Sequence, residues 1–162
     1  MLKINNEMKR TAFTLVEILT VLAIISIMAG ITVVVGQTIR NKTKVSETKA
    51  MIAATETAAS MYYSDLGSYP AEDSPTTTCK GLVTGLVTGG SSPPTGWRGP
   101  YIQFDAADLS GTIPNANLID PWNNSYNYDL SPSSGNTASF NLWSNGPNGT
   151  NNSGGSDDIT NW

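Results

Sequence analysis

Ala12-Phe13-Thr14-Leu15-Val16-Glu17-Ile18-Leu19 opens the stretch that decides how this chain is organised. From Ile18 to Ile39 no residue carries a charge, and a run of that length can cross a bilayer, which takes about 20 mostly apolar residues. Lys3, Lys9 and Arg10 form a short basic leader ahead of it. An ordinary secretory signal places its small-x-small cleavage site after the apolar stretch. Here a cut after Ala29 would set Ile27 where a small residue is required. The better junction comes before the apolar run, between Ala12 and Phe13. Cleavage there removes residues 1–12 and leaves the apolar helix on the mature chain.

Glu17 is the charge that needs an explanation. An ionised side chain inside a membrane helix costs on the order of 2.5–3.5 kcal/mol at mid-bilayer, and less near an end. Cutting before Phe13 creates an α-amino group one helical turn from Glu17. An ammonium on a neighbouring copy can then neutralise the carboxylate when such helices pack. A buried ion pair adds little net stability, whereas a lone buried charge is costly. Glu17 therefore reads as a register device that favours one stagger between neighbours.

Working outward, no proline occurs before Pro70, and only Gly30 and Gly36 interrupt residues 13–66. Val45, Ile52, Ala59 and Leu66 recur every seven residues, with Thr48, Thr55 and Tyr62 between them. That spacing makes one stripe on a helix, with Lys44, Glu47 and Glu56 free to face outward. Residues 13–39 and 40–66 thus read as the membrane or assembly half and the amphipathic half of one helix of roughly 80 Å. Gly67 as C-cap and Pro70 just beyond end it.

Residues 67–162 read as a globular head. Residues 71–100 form a Thr-, Gly-, Ser- and Pro-rich connection in which Cys79–Leu86 suits a short helix. Tyr101–Phe104, Ser125–Leu130 and Ala138–Trp143 are strand-length apolar or aromatic stretches bounded by turn residues. The expected fold is α+β: a long N-terminal helix packed against a small antiparallel sheet. Trp97, Trp122 and Trp162 are expected as core or loop anchors, and Cys79 as a tolerated residue of a variable loop.

Composition narrows the function. Charged residues are 14% of the chain, and Asn, Ser, Thr and Gly crowd its second half, which suits an exported protein. The formal net charge is −4, and the leader hides a body of six basic against twelve acidic residues. That sign argues against nucleic acid, whose phosphates need basic surface. There is no histidine and one cysteine, so Ser-His and Cys-His nucleophile systems, His-ligated zinc and an internal disulfide are excluded. The chain is not expected to be an enzyme.

The Ala12–Leu19 segment resembles the class III signal of type IV pilins and pseudopilins. In that family a prepilin peptidase cuts before the phenylalanine and methylates the new terminus. Ala12 stands where the family usually has glycine. Five further segments, in order, are similar to the major pseudopilins of type II secretion. They are D-x-G-x-Y-P at Asp65–Pro70, W-x-G-P-Y at Trp97–Tyr101, D-P-W at Asp120–Trp122, N-x-Y-x-Y at Asn124–Tyr128 and D-D-I-x-x-W at Asp157–Trp162.

The resemblance implies a structural subunit of a periplasmic pseudopilus. Such a subunit spans the bacterial inner membrane once, with its head in the periplasm, before joining a helical homo-oligomeric filament that drives export of folded proteins. It implies minor pseudopilins, an inner-membrane assembly platform and the prepilin peptidase as partners. A subunit of a surface type IV pilus is the alternative; such pilins commonly close a C-terminal loop with a disulfide, which one cysteine cannot make.

Residues 144–158 (SNGPNGTNNSGGSDD) form a polar loop ending in adjacent carboxylates, which repel unless neutralised. Calcium suits such a place, since it accepts six to eight oxygens from Asp, Asn and backbone carbonyls. The resemblance implies a calcium ion held by Asp157 and Asp158, by main-chain carbonyls of Asn145 and Thr150, and by Asn148. Asn148 replaces the family's usual aspartate, so weaker calcium binding is expected.

Overall fold

The computed structural model describes residues 13–73 and 78–162, without the side chains of 31–36. The leader, residues 1–12, lies outside the described residues, and Ala12 with it. The chain divides into two compact units, residues 1–40 and 41–162. Helix α1, Leu15–Leu66, contributes to both.

In the first unit α1 is apolar and exposed on all sides: Leu15, Val16, Ile18, Leu19, Val21, Leu22, Ile24, Ile25, Ile27 and Met28 are each about half exposed or more. A helix that is hydrophobic all round requires apolar surroundings. Among the described residues no helix is long and apolar enough to cross a membrane. The expected membrane segment, 13–39, includes residues 31–36, whose side chains are outside the described ones.

In the second unit the seven-residue stripe is the buried face of α1. Thr48, Ile52, Thr55, Ala58, Ala59 and Tyr62 are buried, and Val45 and Leu66 pack against the same core. The helix ends as its residues dictate: Gly67 has φ 71° and its N–H donates to the Tyr63 carbonyl at 2.7 Å, the left-handed C-cap that glycine adopts without steric cost.

Helix α2, Lys80–Thr88, lies where a short helix was expected and buries Leu82, Val83 and Leu86. Strands β1, Leu109–Ser110, and β2, Asn117–Leu118, pair antiparallel after a 3₁₀ turn at Ala106–Asp108. Strands β3, Asn127–Asp129, β4, Asn141–Ser144, and β5, Ile159–Thr160, form a second antiparallel sheet in the order β3-β4-β5. Its register sets Asn127 opposite Trp143 and Ser144 opposite Ile159. The fold is α+β as expected, with the regular strands shorter than the apolar stretches and Tyr101–Phe104 outside any strand.

Long-range bonds join the sequence motifs. The Tyr101 hydroxyl donates to Asp65 Oδ2 at 2.8 Å, and Trp97 Nε1 donates to the Gly85 carbonyl at 3.2 Å. The buried Tyr128 hydroxyl donates to the Pro70 carbonyl at 2.9 Å. Lys44 Nζ donates to the Pro121 carbonyl at 2.7 Å and sits 5.6 Å from the Trp122 ring, close enough for a cation–π attraction.

Cys79 corrects the reading of it as a tolerated loop residue. It is fully buried at the N-terminal edge of α2, and its Sγ accepts the Leu118 N–H at 3.2 Å. Burial pushes the thiol up to about 12, because low-dielectric surroundings disfavour the thiolate. No local signal announces this, since its burial comes from a contact with a strand 39 residues away.

One buried polar atom on the stripe is unmatched: Thr55 Oγ1 has no hydrogen-bond partner. An unsatisfied buried hydroxyl costs on the order of 1–3 kcal/mol, and valine has nearly the same shape without it. Thr55→Val is therefore expected to raise the stability of the head by about 1 kcal/mol, read as a higher urea midpoint with an unchanged m-value.

Candidate functional site: the Glu17 terminus and the 144–158 loop

At the N-terminus of α1, Phe13 is 79% exposed and Glu17 lies one turn further on. The Glu17 side chain folds back on the helix start. Its Oε2 accepts the Thr14 N–H and the Thr14 hydroxyl, each at 3.2 Å, while the Glu17 N–H donates to Thr14 Oγ1 at 3.3 Å. This is a capping box, in which an N-cap threonine and an N3 glutamate satisfy each other's backbone donors. Thr14 was missed in the sequence, although Thr-x-x-Glu before an apolar run is the signal for it. Glu17 therefore has a partner within its own chain and remains on an exposed face.

The second site hangs between β4 and β5, whose pairing of Ser144 with Ile159 closes the 144–158 loop at its base. Asp120 anchors that base. It is 3% exposed; its Oδ1 accepts the Trp122 and Asn124 N–H groups at 3.0 and 2.8 Å, and its Oδ2 accepts the Ser144 hydroxyl at 2.6 Å. Ser144 Oγ in turn accepts the Gly146 N–H at 3.0 Å, and Asn124 Nδ2 donates to the Gly146 carbonyl at 3.3 Å. One buried carboxylate thus ties the D-P-W turn to the root of the loop.

The five expected ligands are distributed as follows. Asn148 and Asp157 meet directly: the Asn148 N–H donates to Asp157 Oδ2 at 3.0 Å, and its amide Nδ2 donates to Asp157 Oδ1. Thr150 joins them through its N–H, which donates to Asn148 Oδ1 at 2.6 Å. The Asn145 side-chain oxygen is taken by Asn127 Nδ2 at 2.7 Å, leaving its main-chain carbonyl as the group to offer. Asp158 faces a different turn, where its Oδ2 accepts the Asn152 and Gly154 N–H groups at 3.0 and 2.9 Å.

Asp158 Oδ1 is buried and has no partner. A carboxylate oxygen stripped of water and left unmatched is costly, and a cation would answer it. Among the described residues no three Asp, Glu, Cys or His side chains cluster in a way that could hold a metal. The donor set here is two carboxylates with amide and main-chain oxygens, the kind that calcium accepts. These residues fit that ion on the strength of the orphaned Asp158 oxygen. Asn148 enters as a donor to Asp157, so in this arrangement an amide does part of the neutralising.

The comparisons with known proteins agree with this architecture. Residues 34–162 match the family described as type II secretion system (T2SS), protein G. The chain belongs to that family. Residues 8–33 match the prokaryotic N-terminal methylation motif. The fold is similar to the crystal structure of the major pseudopilin from the type 2 secretion system of enterohaemorrhagic Escherichia coli. The two are 25% identical, with a TM-score of 0.50, over 76% of this chain and 86% of that one. No curated protein sequence matches the chain. As a protein G family member the chain is a major pseudopilin of a type II secretion system, and the surface-pilus alternative is not favoured. Pseudopilins are structural proteins that build filaments with other pseudopilins, and the methylation motif goes with a membrane-anchored periplasmic pilus.

Removing the Asp120 carboxylate would strand buried N–H and O–H donors. Asp120→Ala is expected to cost about 3 kcal/mol, as several charge-assisted hydrogen bonds of about 1.5–3 kcal/mol are lost. Thermal unfolding of the full chain in detergent checks this, with Asp105→Ala, at an exposed position whose carboxylate caps nothing, as the comparison.

Proposed function

We propose that the chain is cut between Ala12 and Phe13 by a prepilin peptidase, resides in the inner membrane as a single-pass subunit with its head in the periplasm, and is drawn through an assembly platform into a helical filament. Minor pseudopilins share that filament, and its growth moves folded proteins outward. The observation that carries this reading is one helix, apolar and exposed on every side from Leu15 to Met28, interrupted by a single carboxylate. Apolar flanks of that kind suit lipid before assembly and neighbouring helices after it. Packing copies side by side removes Glu17 from water, and the amino group of a neighbour's Phe13 is the charge that can meet it.

The capping box sharpens the test, because glutamine can serve at N3 as glutamate does. Glu17→Gln keeps the bond to Thr14 and removes the charge. The expected result is normal cleavage, shown by a mature mass that begins at Phe13, with secretion and filament assembly reduced at least tenfold. Normal secretion by Glu17→Gln would refute charge pairing between subunits.

The 144–158 loop is the second functional element. We infer that it takes a calcium ion through Asp157, Asp158 and the main-chain carbonyls of Asn145 and Thr150, with Asn148 able to add its amide oxygen. The ion would supply the positive charge that lets adjacent carboxylates share one loop. The bond from Asn148 to Asp157 supports a loop that also closes without metal. Asn148→Asp exchanges that donor for a third carboxylate. It is expected to tighten calcium binding about tenfold, since affinity follows ligand charge, and to lower the melting temperature in excess chelator. Equal calcium affinity in the two proteins, measured by calorimetry, would remove Asn148 from the site.

A further inference from the structure

Trp162 bridges two loops of the head. Although 43% exposed, its indole packs closely against two glycines from separate loops. A Cβ on Gly154 would overlap the ring, and one on Gly135 would lie 2.8 Å from Cε2. Both glycines have positive φ, 86° and 78°, so a side chain is disfavoured there by conformation as well as by the ring. Trp143 meets Trp162 edge-on, with centroids 6.0 Å apart and planes at 75°. The Trp143 Nε1 donates to Asn151 Oδ1 at 3.1 Å, and the same oxygen accepts the Ser153 N–H at 2.9 Å. Two indoles therefore hold the segment 151–154.

That segment carries the two N–H groups that fix Asp158. Gly154, under the Trp162 ring, and Asn152 both donate to Asp158 Oδ2, and this leaves Oδ1 buried and unmatched. The contacts run in sequence from ring to glycine backbone to carboxylate. A loop of Asn, Ser and Gly has much conformational freedom to lose on gripping an ion, and fixing it beforehand lowers that cost.

We propose that Trp162 is a positioning residue for the divalent-cation loop: its indole pins Gly154 so that the Asp158 carboxylate presents its free oxygen to the ion. This rests on the calcium reading above. Groups that orient metal ligands from outside the coordination sphere commonly carry about 10–100-fold of the affinity.

The test uses the full-length protein in detergent, titrated with calcium by calorimetry and melted with and without chelator. Trp162→Ala is expected to weaken calcium binding about 10–100-fold and to shrink the rise in melting temperature that calcium gives. Trp162→Phe, which keeps a flat ring over Gly154, is expected to recover most of the affinity. An unchanged calcium affinity in Trp162→Ala, with only the chelated protein melting lower, overturns the positioning role and leaves the calcium reading intact. Absence of calcium binding in the unaltered protein overturns both. If Trp162→Ala does not fold, Trp162→Leu, which fills space without a flat face, is read in the same way.

Discussion

The burial of one stripe of α1 in the head is the contact on which the second unit depends. Thr48, Ile52, Thr55, Ala59 and Tyr62 fall on a single helix face, and the aromatic residues Tyr126, Tyr128 and Phe140 are buried in the same core. Tyr128 lies in β3, while Tyr126 and Phe140 immediately precede β3 and β4. Fully burying a large apolar side chain is worth about 1.5–3 kcal/mol, so strands of two to four residues need no long ladders to stay paired. The helix substitutes for sheet area. It also explains why the stripe tolerates threonines: the Thr48 hydroxyl bonds to its own helix at the Lys44 carbonyl, 2.9 Å away, and Thr55 alone is left unmatched.

A second pattern runs through the carboxylates of the helix start and of the 144–158 loop, which nearby donors answer to different degrees. Glu17 is matched by Thr14, Asp120 by a turn and a serine, Asp157 by an asparagine, and Asp158 by two backbone amides on one oxygen only. Asp120 is a finished structural site, with both oxygens engaged. Asp158 is half finished. Glu17 is satisfied in the single subunit but on an exposed face, where a stronger partner can compete for it. A buried polar atom left unmatched costs stability, and among the described residues Asp158 Oδ1 is the buried carboxylate oxygen in that position.

The loop between β4 and β5 shows how a glycine- and asparagine-rich stretch becomes ordered. Disorder is the usual expectation for such a composition. Here side-chain amides stand in for a core: Asn127, Asn145 and Asn151 form a relay of hydrogen bonds from β3 into the loop. Trp143 and Trp162 supply the apolar walls. Ser153 and Ser156, both with positive φ, sit at turns that local hydrogen bonds hold in place.

Periodicity and caps are local signals that survive in one dimension, and they were enough for the long helix, its end at Gly67, the face it buries, the helix after Cys79 and the α+β class. The acid in the apolar run and the paired aspartates were legible for the same reason: each is a chemical anomaly against its neighbours. That Cys79 is core, that Tyr101–Phe104 is not a strand, that Asp120 roots the loop and that Trp162 covers Gly154 emerged from the folded chain. Those outcomes depend on which distant segments meet, and partners far apart in the chain leave no spacing to be read. Asn148 lies between the two cases, since its residue type was visible and its role as donor to Asp157 required the fold that brings them together.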